Sequence, residues 1–335
     1  MAPQWNEIGS SREATAFISP ARQCWEDKSG INGVRFSGRH KFHNSLRNAF
    51  LHHFGFTMTS KPADPSWGSQ YRLVASEQWK AKSAFMGQFV TEALVEYAQP
   101  APGMHALDLA SGTGEPAISL AVRVGEQGHV VALDLSAELL EIARGRAQTR
   151  GLNNLTTQQA DAHSLPFSEN SFDLATSRFG VMFFRDAESA LRELHRVLRP
   201  GARACFLAWG PFDQPYWQST MGVVHRHVGG PLLQLGGPNP FRYAESGSLT
   251  NVLRAAGFRD LHDETRTLPW TWLGTPEEVW EQAQAVSVPF RPMLERVPAE
   301  RWPEIHADVH NAIAQYSDGE KISFGATVIL ASGRK

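Results

Sequence analysis

The chain has 335 residues, 42% of them hydrophobic, enough to bury one large core together with an inserted cap. Its 32 Lys and Arg against 34 Asp and Glu leave a net charge of -2, so no overall basic field draws it to nucleic acid or to an anionic membrane surface. No apolar run reaches membrane-spanning length and no secretory signal is legible, so the expectation is a cytoplasmic protein whose partner is a small molecule.

Only Cys24 and Cys205 are present. Two thiols far apart in sequence suit a reducing compartment and exclude a disulfide framework or a zinc knuckle. Residues 1–57 show no sustained periodicity, recurrent Gly and Ser, and histidines at His40, His43, His52 and His53. They are expected to be a poorly ordered extension, with a targeting or nucleic-acid-binding arm as the alternative. Met58 opens a stretch that reads as an ordinary enzyme start, which makes 58–335 the expected domain.

From Glu77 to Tyr97 apolar residues recur at three and four, which predicts one amphipathic helix ended by Pro100 and Pro102. Met104 to Ala117 then runs from a short apolar strand through Asp108 into Ser111-Gly112-Thr113-Gly114 and a helix start at Pro116. Glycines there take positive φ and admit a ligand against the backbone. The spacing Gly112-x-Gly114-x-x-Ala117 also fits the loose dinucleotide fingerprint. Asp108 and Glu115 decide between the two readings, because both repel a pyrophosphate at the helix N-terminus. S-adenosylmethionine, with an ammonium, a sulfonium and no phosphate, gains from the same acids.

The run Asp108-Leu109-Ala110-Ser111-Gly112-Thr113-Gly114 resembles motif I of class I S-adenosylmethionine-dependent methyltransferases, in the branch that includes the ubiquinone/menaquinone methyltransferases. The likeness covers about residues 100–210, and Ala110 stands where the strict motif has its first glycine. The resemblance implies a doubly wound, Rossmann-like α/β sheet of seven strands with the last strand antiparallel. It further implies that Asp108 and Ala110 to Gly114 contact the cofactor.

Downstream, His129 to Asp134 reads as a buried parallel strand ending in an acid 20 residues beyond Gly114, where a carboxylate meets ribose hydroxyls, with Leu135 beside it. Ser136 is free to cap the helix 137–150, which Gly151 closes. A third strand ends in Asp161-Ala162, which by resemblance hold the adenine edge, while His163 reads as a solvated loop residue. The fourth strand, Phe172 to Ser177, should point its carboxyl end at the transferred methyl, so Ser177 and Arg178 join the expected cofactor contacts. Quinone methyltransferases carry a small hydroxyl residue where Arg178 stands, and this departure leaves the acceptor open. Two readings of Arg178 stay level: a clamp for a substrate carboxylate or phenolate, or a partner for an acid of the site.

Helix 186–198 leads through Leu198-Arg199-Pro200-Gly201 into a strand from Arg203 to Trp209, with His195 expected on an exposed face and Cys205 as inert core. Residues 210–245 and 275–318 are the expected substrate-cap segments. The first is rich in aromatics and holds His225 and His227, weak candidates for a general base. The second opens on the helix signal Thr275-Pro276-Glu277-Glu278. His306 and His310 lie four apart but lack the remaining ligands of a metal site, so no metal is expected. Strands near Leu261 to Trp270 and Ile322 to Ser332 should close the sheet as an antiparallel pair.

Together these residues lead us to expect methyl transfer from S-adenosylmethionine to an oxygen, carbon or nitrogen of a small, largely apolar acceptor. An NAD-dependent oxidoreductase and a non-catalytic adenosine-ligand binder are the alternatives.

Overall fold

The computed structural model describes Lys82 and residues 85–335. The extension 1–57, the start at Met58 and Trp79 lie outside the described residues. Helix α1, Gln88–Ala98, buries Val90, Ala93 and Leu94 of the anticipated stripe together with Ala98, and a turn at Gly87 separates it from the helical Phe85 and Met86, so the expected single helix is interrupted there.

The remaining described residues are built on a seven-stranded sheet in the order β3-β2-β1-β4-β5-β7-β6. Strands β1 (His105–Leu109), β2 (His129–Asp134), β3 (Leu155–Gln159), β4 (Phe172–Arg178) and β5 (Leu198–Trp209) run parallel. β1 sits between two parallel partners and is buried at every residue after His105, which is why it reads as an unbroken apolar run. β3, at the edge, tolerates Thr156, Thr157, Gln158 and Gln159 because one of its sides is unpaired.

Helices α2 (Ala117–Val124) and α3 (Ala137–Thr149) cross between these strands. Ser136 caps α3 by accepting from Leu139 N at 3.2 Å, and Gly151 follows it in the left-handed region at φ 68°. Pro116 stands just before α2 as its capping residue rather than within the first turn. Helix α4 (Ala187–Val197) is capped by the Asp186 carboxylate, which accepts from Ser189 N.

Strand β5 begins earlier than the sequence suggested, at Leu198, because a register irregularity lets Arg199 to Ala202 bulge while Leu198 still pairs with Phe172. Strands β6 (Arg259–Trp272) and β7 (Ile322–Arg334) are also longer than expected, and β7 runs against both β5 and β6. The sheet is thus the seven-stranded arrangement with its last strand antiparallel. Cys205 is fully buried in β5, and burial pushes its thiol up to about 12.

The two segments expected to form a cap pack on one another. Helices α5 (Pro215–Ser219) and α6 (Met221–Val228) come from the first, and α7 (Ser248–Ala255) precedes β6. The second gives α8 (Pro276–Val286), short α9 (Arg291–Leu294) and α10 (Trp302–Ala314). The Thr275–Glu278 capping box starts α8 as read from the sequence, and α10 lies against both α5 and α6. His195 is not on an open face: its ring meets Phe258 edge-on at 5.1 Å.

Candidate active site

Beyond the carboxyl ends of β1, β4 and β5 lies a cavity of about 300 Å³. At one end it is walled by Ala110, Ser111, Gly112, Thr113 and Glu115 of the loop after β1, with Leu139 and Arg146 from α3. The chain turns sharply there, and Ala110, Gly112 and Gly114 all take positive φ, at 53°, 55° and 106°. For Ala110 this conformation costs about 1–2 kcal/mol that a glycine would not bear. Gly180 makes room for it, since a Cβ at 180 would lie 2.5 Å from the Ala110 Cβ and 2.7 Å from Ser177 Oγ. Sequence reading did not single out Gly180.

Gly114 is required for a different reason. A Cβ there would come within 2.8 Å of Ile118 Cδ1 and 3.1 Å of the Ala143 Cβ, so α2 and α3 pack directly on its backbone.

Two acids hold the loop. Asp108, at the end of β1, is fully buried; its Oδ1 accepts from Thr176 Oγ1 at 2.6 Å and its Oδ2 has no partner. Burial dominates, opposed by the Thr176 hydrogen bond, and the carboxyl is pushed up to about 7. Asp134 accepts from Gly112 N at 2.8 Å through Oδ2 and from Ser136 N at 3.0 Å through Oδ1. Its carboxylate therefore ties the glycine loop to the end of β2, a structural duty the sequence reading missed.

Glu115 does not face the cavity as a free anion. Its Oε1 lies 3.2 Å from Arg150 Nη1 and 3.7 Å from Arg146 Nη2, and its Oε2 accepts from Ser119 Oγ at 2.7 Å. The expectation of two unneutralised acids on the loop is corrected here. The reason is a helix face: Arg146 and Arg150 are four apart, and both reach back to the loop. Arg146 also donates to Thr113 O at 2.7 Å. That spacing was visible in the sequence and went unused.

Farther out, Asp161 Oδ1 meets His163 Nδ1 at 2.5 Å and accepts from His163 N at 2.9 Å. Burial raises its pKa, but the His163 hydrogen bonds outweigh it and hold the carboxyl below its usual range. His163 is therefore no solvated loop residue; its ring also packs edge-on against Phe184 at 6.1 Å. Ala162 is buried, whereas Leu135 is 40% exposed. Asp108, Gly114, Asp134, Leu135, Asp161, Ala162 and Ser177 surround the loop without lining the cavity itself, and Ser177 Oγ donates to Leu109 O at 2.9 Å.

The other end of the cavity is aromatic. Phe179, held at φ 57°, stacks on Trp209 with centroids 4.5 Å apart, and Trp217 stacks on Phe290 at 5.3 Å. Tyr216 meets Trp217 edge-on at 4.9 Å. Such offset and edge-on pairs contribute about 0.5–1.5 kcal/mol each beyond burial, so the wall is stiff. From α8 and the turn after it come Gln282, Val286 and Ser287. The Trp217 Nε1 and Ser287 Oγ atoms are buried without a partner.

Neither candidate base lines this cavity. His225 Nε2 bonds Gly230 O at 2.9 Å, and His227 Nε2 bonds Asp308 Oδ2 at 2.8 Å between α6 and α10. Two histidines on the surface turns of one short helix cannot both face inward, and the packing of α6 on α10 claims His227. His227, Glu304 and Asp308 bring their ligand atoms within 4.8 Å of one another. The Arg301 guanidinium, 2.8 Å from His227 Nδ1 and 3.4 Å from Glu304, already neutralises that group. His306 packs between Trp280 and Trp302.

The ubiE/COQ5 methyltransferase family profile matches residues 86–228, which include α1, β1 to β5 and the glycine loop. Over that stretch the chain is similar to the ubiE/COQ5 methyltransferase family. The ubiquinone/menaquinone biosynthesis C-methyltransferase of Shewanella frigidimarina is 40% identical over 114 residues, 34% of this chain and 45% of that protein. The enzyme of the same name from Xanthomonas oryzae is 39% identical over 158 residues, 45% of this chain and 62% of its own length. The chain thus spans about half to three-fifths of the length of these curated relatives. Among solved structures, YcgJ of Bacillus subtilis has 22% identity and a TM-score of 0.49, covering 73% of this chain and 97% of its own.

Proposed function

We propose that the protein transfers the methyl group of S-adenosylmethionine to an oxygen, carbon or nitrogen atom of a small, largely apolar acceptor. The observation that carries this reading is a single cavity with the family's glycine loop at one end and an aromatic wall at the other. The chain's relatives bear the name of C-methyltransferases of quinone biosynthesis. A flat apolar acceptor suits rings such as Phe179, Trp209 and Trp217.

The residues of the loop end fit the cofactor. The Asp108 Oδ2 and Ser111 Oγ atoms are buried without a partner, as groups awaiting a ligand donor are. Asp134 accepts one bond from Gly112 N and one from Ser136 N, and a carboxylate has about four lone-pair positions, which leaves acceptors for two ribose hydroxyls. Ala110 to Gly114 supply the close backbone approach, and Leu135, Asp161, Ala162 and Ser177 complete the proposed cofactor contacts, with Arg178, first expected among them, left to the acceptor side.

When bound, S-adenosylmethionine supplies a methyl already activated by its sulfonium. The chain has then to align and to keep dry. Alignment of two reactants contributes on the order of 7–11 kcal/mol in favourable cases. The aromatic wall excludes water from the line of attack. Among the described residues no histidine lines the cavity, so the reading places the rate gain on alignment rather than on an imidazole base.

In the same reading residues 58–335 are the working domain, 210–245 and 275–318 form its acceptor-side cap, and 1–57 are an extension. No described helix is long and apolar enough to cross a membrane, and the protein acts in the cytoplasm. The direct test is a mass-spectrometric screen of phenols, quinones, amines and carboxylic acids with S-adenosylmethionine. A product heavier by one methyl group is expected. Failure of every class, together with no binding of S-adenosylhomocysteine, would overturn the reading.

A further inference from the structure

The charges around the cavity do not balance. Its charged lining residues are Glu115, Arg146 and Arg178. Glu115 is shared by Arg146 and Arg150, so that acid is already neutralised. Arg178, the last residue of β4, is held from one side only: Nη1 donates to Thr91 Oγ1 at 2.6 Å and to Gly87 O at 3.3 Å on and beside α1. Its Nε is buried with no partner, and among the described residues it makes no direct ion pair; the carboxyls of Glu115 and Asp108 act on it only from beyond contact distance. The one acid on the adjacent β1, Asp108, accepts at Oδ1 from Thr176 Oγ1.

A guanidinium stays charged at any working pH, and a half-buried charge with no directly paired counterion is costly. Removing a cation from water and leaving a donor unmatched makes sense where an occupant brings an anion. The backbone places that donor directly before Phe179, whose ring stacks on Trp209 at 4.5 Å. A guanidinium beside a stacked aromatic wall matches a flat ring that carries a carboxylate.

Resting on the methyl-transfer reading above, we propose that Arg178 is the anion-recognising residue of the acceptor end and that the acceptor is an aromatic acid. The orphaned Trp217 Nε1 and Ser287 Oγ on the cap side offer further hydrogen bonds to oxygens of such a ring. Carboxylate is also the chemistry of the cofactor's amino-acid tail, and the two sources separate by experiment.

Full-length protein loaded with S-adenosylhomocysteine would be titrated by calorimetry with hydroxybenzoates and with their methyl esters, in the wild type and in Arg178→Met and Arg178→Lys. The wild type should bind the acids about 10- to 100-fold more tightly than the esters, the worth of a charge-assisted hydrogen bond. Arg178→Met should erase that preference, and Arg178→Lys should keep part of it, which separates loss of charge from loss of folding. No preference in the wild type, including no binding of either probe, or a preference that survives Arg178→Met, overturns the proposal.

A parallel titration compares S-adenosylhomocysteine with 5′-methylthioadenosine, which lacks the amino-acid tail. Affinity for both should be unchanged in Arg178→Met. A drop of 10-fold or more for S-adenosylhomocysteine alone would give Arg178 to the cofactor's tail and overturn the acceptor assignment. Failure of the wild type to bind S-adenosylhomocysteine would instead sink the methyl-transfer reading itself.

Discussion

The two ends of the cavity are built by different means. The loop end comes from one stretch of chain, Asp108 to Glu115, whose backbone turns and charges are fixed by neighbours on β2 and α3. The aromatic end is gathered from Phe179, Trp209, Tyr216, Trp217 and Phe290, residues spread over more than a hundred positions and brought together only by the sheet and the cap. The first end is specified by hydrogen bonds and conformation, the second by shape. A site assembled in this way can keep its cofactor end constant while its acceptor end varies.

Charge at the loop end gives the largest expected effect. Replacing Asp108 by Ala removes a buried carboxyl that has one oxygen on Thr176 and one unmatched, and S-adenosylhomocysteine affinity should fall about 100-fold or more in calorimetry. Acceptor-side variants should leave that affinity alone. Equal losses from both ends would break the comparison.

The same carboxyl predicts a pH dependence. Its folded pKa of about 7 lies above the unfolded value of 3.8, so the folded state holds a proton the unfolded chain has released. Stability from this group is present below about pH 4 and is lost as pH rises through 7, by an amount on the order of 4 kcal/mol. Denaturant melts at several pH values should show that slope in the wild type and a flatter one in Asp108→Asn. Parallel slopes would show that Asp108 titrates normally.

Next in size is Gly114→Ala, which forces a Cβ against Ile118 and Ala143 at φ 106°. A loss of roughly 2–3 kcal/mol of stability is expected, read as a lower melting temperature. At the aromatic end, Phe290→Leu should raise the acceptor KM by about 10-fold through loss of a stacked face, with cofactor affinity unchanged. The smallest effect is expected for His227→Gln, which loosens the α6–α10 contact by about 0.5–1 kcal/mol and leaves kcat as it was. A fall in kcat would return His227 to the role of base.

Legibility in the sequence divides along the same line. The parallel strands, the Gly-rich turn, the Ser136 cap and the Thr275–Glu278 box are local patterns, so they were legible before any coordinates. That the last strand, β7, runs antiparallel followed from the family resemblance and from the two strand runs read near Leu261 to Trp270 and Ile322 to Ser332, whereas the strand order itself came only with the structure. The electrostatics were less legible. Glu115 looked like a free anion because its partners, Arg146 and Arg150, sit on the next helix. His163 looked solvated because its tie to Asp161 needs a turn that brings both side chains to one side. The aromatic wall could be anticipated as apolar residues of a cap, but its stacking partners, such as Phe179 with Trp209, depend on strands β4 and β5 lying side by side.

The central claim is that the glycine loop receives an adenosyl sulfonium rather than a pyrophosphate. Calorimetry of the full-length protein with S-adenosylhomocysteine and with NADH tests it most directly. Saturable binding of S-adenosylhomocysteine, lost in Asp108→Ala, with no heat from NADH, is the predicted result. Saturable NADH binding that S-adenosylhomocysteine fails to displace would contradict it.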